Sequence, residues 1–355
     1  MFVPVAAFLE KMAEAKASLP GAQRAPFPAR LNVLVDRTKE VAWLSYLQVR
    51  NHLAAKRGLR EKLCLPTTPL YSGIGKTALG QLVQTHLRSD KDTQDLVVNM
   101  VLDSLVGSVA ETDVRAALQD FLDVIYIQLE LPNASDEGFP FLMRQRIFEL
   151  LSSKAPNSNR ALFANLHPSP QEADLSSMLT ALGHQPDVTV FVHFDELDLS
   201  ESQAELFIQF AFDNFLLYPG RYIFCTGHSA TLWKRAIDTR SSNKSPCTDK
   251  LIPISALSQG GILELLKHLR NSNSSSSNRG FCINIDGRCL EYLSQQLKLK
   301  TGGVSLIVVE SLRVLHHHPR RISTPEVIDG LLYNGGEVMQ QVLRVDRVNA
   351  EQTAT

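Results

Sequence analysis

The chain has 355 residues, a formal net charge of −1 at pH 7, and is 44% hydrophobic and 21% charged. That composition fits an ordinary globular chain with material for about two domains and a sizeable core. The charge balance supplies no global attraction to nucleic acid or to an anionic membrane.

Taken in order, residues 1–36 read as an N-terminal arm or linker, with one helix-like stretch and then Pro20, Gly21, Pro26 and Pro28. Val41, Leu44, Leu47 and Leu53 recur at helical spacing and predict a helix over 37–57. Residues 63–66 give only a poor strand, interrupted by Pro66 and Pro69. A Gly-rich turn follows, then apolar Leu79, Leu82, Val83 and Leu87 at helical spacing. Residues 92–122 are amphipathic and predict helix. Residues 124–131 are rich in β-branched and aromatic types and close on Pro132, which predicts a strand. Short helices are expected over 143–151 and 175–182, with a Pro/Asn/Ser-rich loop over 155–170.

Residues 188–194 form a continuous apolar run of the kind that makes a buried parallel strand, and the run ends in Asp195 and Glu196. A helix over 201–217, a turn at Pro219-Gly220 and a strand over 221–226 follow. Strand, helix, strand in succession is the pattern of a parallel α/β sheet flanked by helices. Residues 239–249 read as a polar loop and 271–278 as a flexible Asn/Ser tract. Helices are predicted over 289–299, 305–315 and 325–333, with a tail from 346. The expected division is a core over 37–270 and a helical unit over 280–345.

The turn carries the first chemical signal. Gly75, Lys76 and Thr77 fill the last three places of G-x-x-x-x-G-K-[ST], while Leu70 stands at the first glycine. In such a loop the backbone of Gly73, Ile74, Gly75, Lys76, Thr77 and Ala78 turns its N–H groups toward phosphate at a helix N-terminus. Lys76 is expected to reach the β- and γ-phosphates, and the Thr77 hydroxyl to join a Mg²⁺ shell. The second signal is the acidic pair. A strand through Phe194 delivers Asp195 to the carboxyl edge of the sheet, where ligands of open α/β sheets bind. Asp195 is then the expected metal ligand, and Glu196 the residue that positions water. Thr226, His228 or Ser229, at the end of the next strand, is a further polar candidate. Arg221, Arg235 and Arg240 are weaker candidates for compensating phosphate charge. His316, His317 and His318 are consecutive and cannot converge on one ion from a helix, so they read as surface histidines.

These stretches, "SGIGKT", "VFVHFDELD", "YIFCTGHSATLW" and "LIPISALSQGGILELL", together with Ser245-Pro246, resemble the P-loop ATPase domain of Crinkler effectors and retrotransposon-hot-spot proteins. Those families are similar to the STAND and AAA+ ATPases. The resemblance spans roughly 37–315. It implies ATP and Mg²⁺ as ligands, Gly75, Lys76 and Thr77 at the nucleotide loop, Asp195 and Glu196 at the metal and water, and Thr226 at the polar sensor position. It also implies that the helices after Ile285 form a lid or winged-helix-like unit. The chain departs from it at Leu70, and it lacks both a nuclease pattern and a Leu-rich translocation segment.

The sequence therefore predicts an ATP-binding P-loop NTPase whose hydrolysis drives a conformational switch. Two other readings remain open: a degenerate nucleotide fold used as an interaction scaffold, and a nucleic-acid-handling AAA+-like ATPase. Expected partners are the nucleoside triphosphate and another copy or a protein, with nucleic acid unsupported by charge. The cysteines (Cys64, Cys225, Cys247, Cys282, Cys289) are odd in number and form no C-x-x-C pair. That argues against a disulfide framework or a zinc site and for a reducing compartment. No apolar run reaches membrane-spanning length, and the N-terminal apolar stretch lacks a basic flank and stops at Glu10. An intracellular location, cytoplasmic or nuclear, is the expectation.

Overall fold

The computed structural model describes residues 33–59, 63–69, 74–105, 109–131, 139–154, 175–184, 188–197, 199–227, 248–271, 285–317 and 322–332. In chain order these form α1 (Thr38–Lys56), β1 (Cys64–Pro69), α2 (Lys76–Ser89), α3 (Lys91–Ser104), α4 (Glu111–Leu122) and β2 (Ile125–Glu130). There follow α5 (Phe139–Lys154), α6 (Leu175–Ala181), β3 (Val190–Leu197), α7 (Glu201–Ala211), β4 (Arg221–Gly227) and β5 (Thr248–Leu251). The last helices are α8 (Gln259–Asn271), α9 (Leu290–Thr301), α10 (Ser305–His317) and a short helix over 325–332. No helix among the described residues is long and apolar enough to cross a membrane.

The strands form one five-stranded sheet in the order β2-β3-β4-β1-β5. Every neighbouring pair is parallel. Parallel strands need crossovers, and the helices supply them on both faces. Side chains alternate along each strand, and β3 divides accordingly. Val190, Val192 and Phe194 enter one core with α5, α6 and α7, whereas Phe191 enters the other with α1 to α4. His193 and Asp195 share the parity of Phe191, so they face the helix that follows the Gly-rich turn. This is the α/β architecture the sequence predicts, a parallel sheet flanked by helices, with α2 following β1 in the chain. A third cluster, around Leu266, Leu293, Leu312 and Ile328, gathers α8, α9, α10 and the short helix over 325–332. Helix α8, which the sequence division assigned to the core, thus packs with the C-terminal helices.

Several local expectations need correction. β1 is no poor fragment; it lies inside the sheet between β4 and β5. Its pairing with β4 begins only at Thr67, after Pro66. Below that point, side-chain amides of α1 replace the ladder. Asn51 donates to the Cys64 carbonyl at 2.6 Å and accepts from the Cys64 N–H at 2.9 Å. Gln48 does the same for Ile223 on β4, at 2.7 and 3.3 Å. Buried backbone groups must be paired, and these amides allow a proline-bearing strand inside the sheet. β5 takes the last two residues of the expected polar loop, Thr248 and Asp249, with the two that follow; the rest of that loop lies outside the described residues. The helical span over 92–122 is two helices, with Asp90 capping the first through Thr93 N–H at 3.0 Å. The helix expected over 201–217 ends at Ala211 and continues as a π-turn over Phe212–Leu216.

Candidate nucleotide and metal site

Gly75 caps α2 with φ of +100°. A non-glycine residue in that left-handed conformation costs roughly 1–2 kcal/mol, so the turn itself requires glycine. Lys76 and Thr77 then open α2, with Ala78 next in the same turn. Gly73 and Leu70 lie outside the described residues, as do His228, Ser229, Arg235 and Arg240.

The loop and the acidic strand end meet. The Thr77 hydroxyl donates to Asp195 Oδ2 at 2.7 Å across 118 positions of sequence. Thr226, at the end of β4, donates to Asp195 Oδ1 at 2.5 Å. Lys76 is buried and its Nζ donates to the Gly227 carbonyl, one residue beyond Thr226, at 3.0 Å. Burial lowers the Lys76 pKa, while Glu196 and Asp195 pull it back up. Ammonium, hydroxyl and carboxylate thus converge at the carboxyl edge of β1, β4 and β3. Asp195 itself is 1% exposed; its oxygens are held by hydrogen bonds in place of water.

Glu196 behaves differently. Between Phe194 and Leu197 on β3, and Cys225 and Gly227 on β4, the register shifts by one residue. The extra residue makes a β-bulge, which re-aims side chains. Glu196 sits in it with φ of +51° and an exposed side chain. Its N–H donates to Thr226 Oγ1 at 3.2 Å. One hydroxyl therefore ties both acids. A left-handed glutamate is a strained conformation of the sort that collects at functional sites.

Sequence reasoning missed other members. Gln128 on β2 donates to Asp195 Oδ2 at 2.7 Å, and Gln81 of α2 donates in turn to Gln128. Arg37 is buried and donates through Nη2 to the Ile74 carbonyl at 3.2 Å and to Ser305 Oγ at 3.3 Å. Ser305, the first residue of α10, donates to the same carbonyl at 3.1 Å. Burial lowers the Arg37 pKa against the raising effect of Glu40 and Asp36. The Ile74 carbonyl is therefore held jointly by the start of α1 and the start of α10. Nothing in the local sequence of Arg37 or Ser305 announces this. Gln128 was findable in principle, since it pairs in register with His193, but only once the strand order is known.

Two weaker candidates fall elsewhere. Arg221 lies at the opposite end of β4, where it donates to the Asn214 carbonyl at 3.1 Å and stacks on Tyr218. His316, expected at the surface, is buried at 3% exposure.

The donor set suits a hard divalent cation. Thr77 and Asp195 offer oxygen only. The Thr77 proton is taken by the carboxylate, which leaves the hydroxyl lone pairs for a cation. Mg²⁺ characteristically uses one or two such groups, completing its shell with water and phosphate. Among the described residues no group of three or more His, Cys, Asp or Glu could hold a metal by itself.

No protein-family model matches the chain, and no curated protein matches it. Among solved structures, PCH-2 of C. elegans is similar at 14% identity and a TM-score of 0.43, over 87% of this chain and 70% of that one. The Walker-type ATPase PABY2304 of Pyrococcus abyssi is similar at 13% identity and a TM-score of 0.44, over 93% and 80%. The ORC2 protein of Aeropyrum pernix in its ADP form is similar at 14% identity and a TM-score of 0.41, over 88% and 71%. TM-scores this low carry no weight for what the chain does.

Proposed function

We propose that this chain binds ATP with Mg²⁺ and hydrolyses it, as a switch-like P-loop NTPase of the Crinkler and retrotransposon-hot-spot type. The observation that carries the reading is the 2.7 Å hydrogen bond from Thr77 to Asp195, with the Lys76 ammonium 3.0 Å from the carbonyl beside Thr226. Two distant segments supply one site with the groups a triphosphate needs.

In this reading Lys76 and the loop N–H groups from Gly73 to Ala78 bind the β- and γ-phosphates. Thr77 and Asp195 hold the cation, whose charge, when bound, offsets that developing on the phosphate oxygens. Glu196, aimed outward by the bulge, orients the attacking water and receives its proton. Before the nucleotide binds, Thr226 fixes both acids relative to one another; at the polar sensor position it turns its hydroxyl to phosphate when the triphosphate is bound. Catalysis then rests on positioning and charge stabilisation. Turnover is slow unless another copy or a protein partner supplies an arginine, which makes self-association part of the proposal. Residues 37–258 form the nucleotide unit and α8 to the end of the described chain the lid. The Arg37–Ile74–Ser305 joint links loop and lid. The proposed setting is intracellular. A nucleic-acid role gains no support from a net charge of −1.

Calorimetry with ATP, with and without Mg²⁺, tests the reading. Lys76→Ala is expected to abolish binding. Glu196→Gln is expected to bind ATP normally and lose hydrolysis by about 10²–10⁴-fold. Unchanged affinity in the lysine variant would reject the site. A wild type that ignores millimolar Mg-ATP would favour the scaffold alternative.

A further inference from the structure

His193 has no role in the reading above, yet its surroundings are specific. The ring is 0% exposed. Nδ1 lies 3.0 Å from the Tyr126 hydroxyl, and the ring stacks on Phe224 at 5.0 Å between centroids. Helix α2 passes over it at Gly80, where a Cβ would come within 2.2 Å of Nδ1. The other nitrogen, Nε2, has no hydrogen-bond partner and lies 3.6 Å from Asp195 Oδ1. That separation is too long for a hydrogen bond. A lone pair on Nε2 would face a carboxylate oxygen and be repelled. Protonated Nε2, with Nδ1 accepting from Tyr126, is the compatible tautomer. A buried N–H left without an acceptor is costly, and among the described residues the carboxylate it faces is that of Asp195, the proposed metal ligand.

We propose that His193 is a positioning residue, held by Tyr126 as a reserve donor to Asp195 Oδ1. The inference rests on the triphosphate reading. Oδ1 is at present served by Thr226, whose hydroxyl lies at the sheet edge where phosphate would bind. When that hydroxyl turns to phosphate, Oδ1 needs another donor. His193 can supply it by closing a gap of roughly 0.7 Å to ordinary hydrogen-bond length. The carboxylate then keeps its orientation toward the cation. Outer-shell donors of this kind are typically worth about 10–100-fold in metal affinity.

The test measures Mn²⁺ binding by electron paramagnetic resonance in the presence of an imido-bridged ATP analogue. His193→Leu keeps bulk and removes the donor, whereas His193→Gln restores an N–H. The leucine variant is expected to bind Mn²⁺ about 10–100-fold more weakly, with metal-free affinity for the analogue unchanged, and the glutamine variant to recover most of the loss. Equal Mn²⁺ affinity in the leucine variant would overturn the inference. Should that variant not fold, nitrogen-15 spectra of the wild-type histidines decide. The Nε2–H tautomer and a downfield, exchange-protected Nε2–H after addition of analogue and Mg²⁺ are expected. An Nδ1–H tautomer or an unmoved signal would overturn the inference. A wild type that binds no analogue takes the triphosphate reading and this inference down together. A wild type that binds, matched by the leucine variant, removes this inference alone.

Discussion

Gly80→Ala isolates the packing that holds the site together. Gly80 lies inside α2, where alanine is favoured over glycine by about 1 kcal/mol. Helix propensity alone therefore predicts a more stable protein. The structure predicts the reverse. An added Cβ would sit 2.2 Å from Nδ1 and 2.4 Å from Cε1 of His193, against roughly 3.5–4.0 Å for unstrained contact. The ring cannot step aside, because Phe224 stacks on it and Tyr126 bonds it. Overpacking of this kind costs about 1–3 kcal/mol, and breaking the Tyr126 contact in a buried site adds a comparable penalty. The net expectation is a loss of about 1–5 kcal/mol, read as a lower urea midpoint at unchanged slope. The double-mutant cycle with His193→Ala identifies the cause. In that background Gly80→Ala should be neutral or stabilising by up to ~1 kcal/mol, giving a coupling of about 1–6 kcal/mol. A Gly80→Ala protein as stable as the wild type would refute the claimed contact between α2 and β3.

Glu196→Asn should stabilise the fold by ~1 kcal/mol, because asparagine tolerates the left-handed conformation, while hydrolysis is lost; thermal unfolding and phosphate release measure the two. Asn51→Ala removes the side-chain partner that both the N–H and the carbonyl of Cys64 use and is expected to cost about 1–3 kcal/mol by urea unfolding, with faster amide exchange in β1. Burial pushes the His193 pKa down to about 4, against a weaker upward pull from Asp195. The unfolded chain, with a histidine pKa near 6.5, binds a proton that the folded chain refuses. Stability is therefore whole above pH 6.5 and falls as pH drops toward 4, by about 2 kcal/mol between pH 7 and 5. His193→Gln should flatten that window, and an equally steep loss in the variant would count against the assignment.

What could be read from the sequence was local chemistry. Gly75-Lys76-Thr77 declares itself because a positive-φ glycine, an amine and a hydroxyl must be consecutive at a helix start. Asp195 declares itself because an apolar strand has to end at the sheet edge. β1 was obscured because its prolines are tolerated through amides of Asn51 and Gln48 that come from another element. β5 was obscured because four residues, Thr248 to Leu251, carry little pattern. Gln128 and Tyr126 join the site through strand order and register, and Arg37 and Ser305 through tertiary packing. Such contacts exist only after the sheet has formed. Alternation along β3 sets Phe191, His193 and Asp195 on one face, but that this face meets α2 is fixed by the tertiary packing, with Gly80 over His193.

The account turns on Thr77 and Asp195 acting as one unit on the same ligand. A double-mutant cycle on Mg-ATP affinity measures this directly, with Thr77→Val, Asp195→Asn and the pair compared by calorimetry, each with Mg²⁺ and with chelator. Each single variant should lose most of the Mg²⁺-dependent affinity, and the double variant should lose little more than either. Additive losses, or losses that persist unchanged in chelator, would mean that the two side chains meet in the fold without sharing a cation.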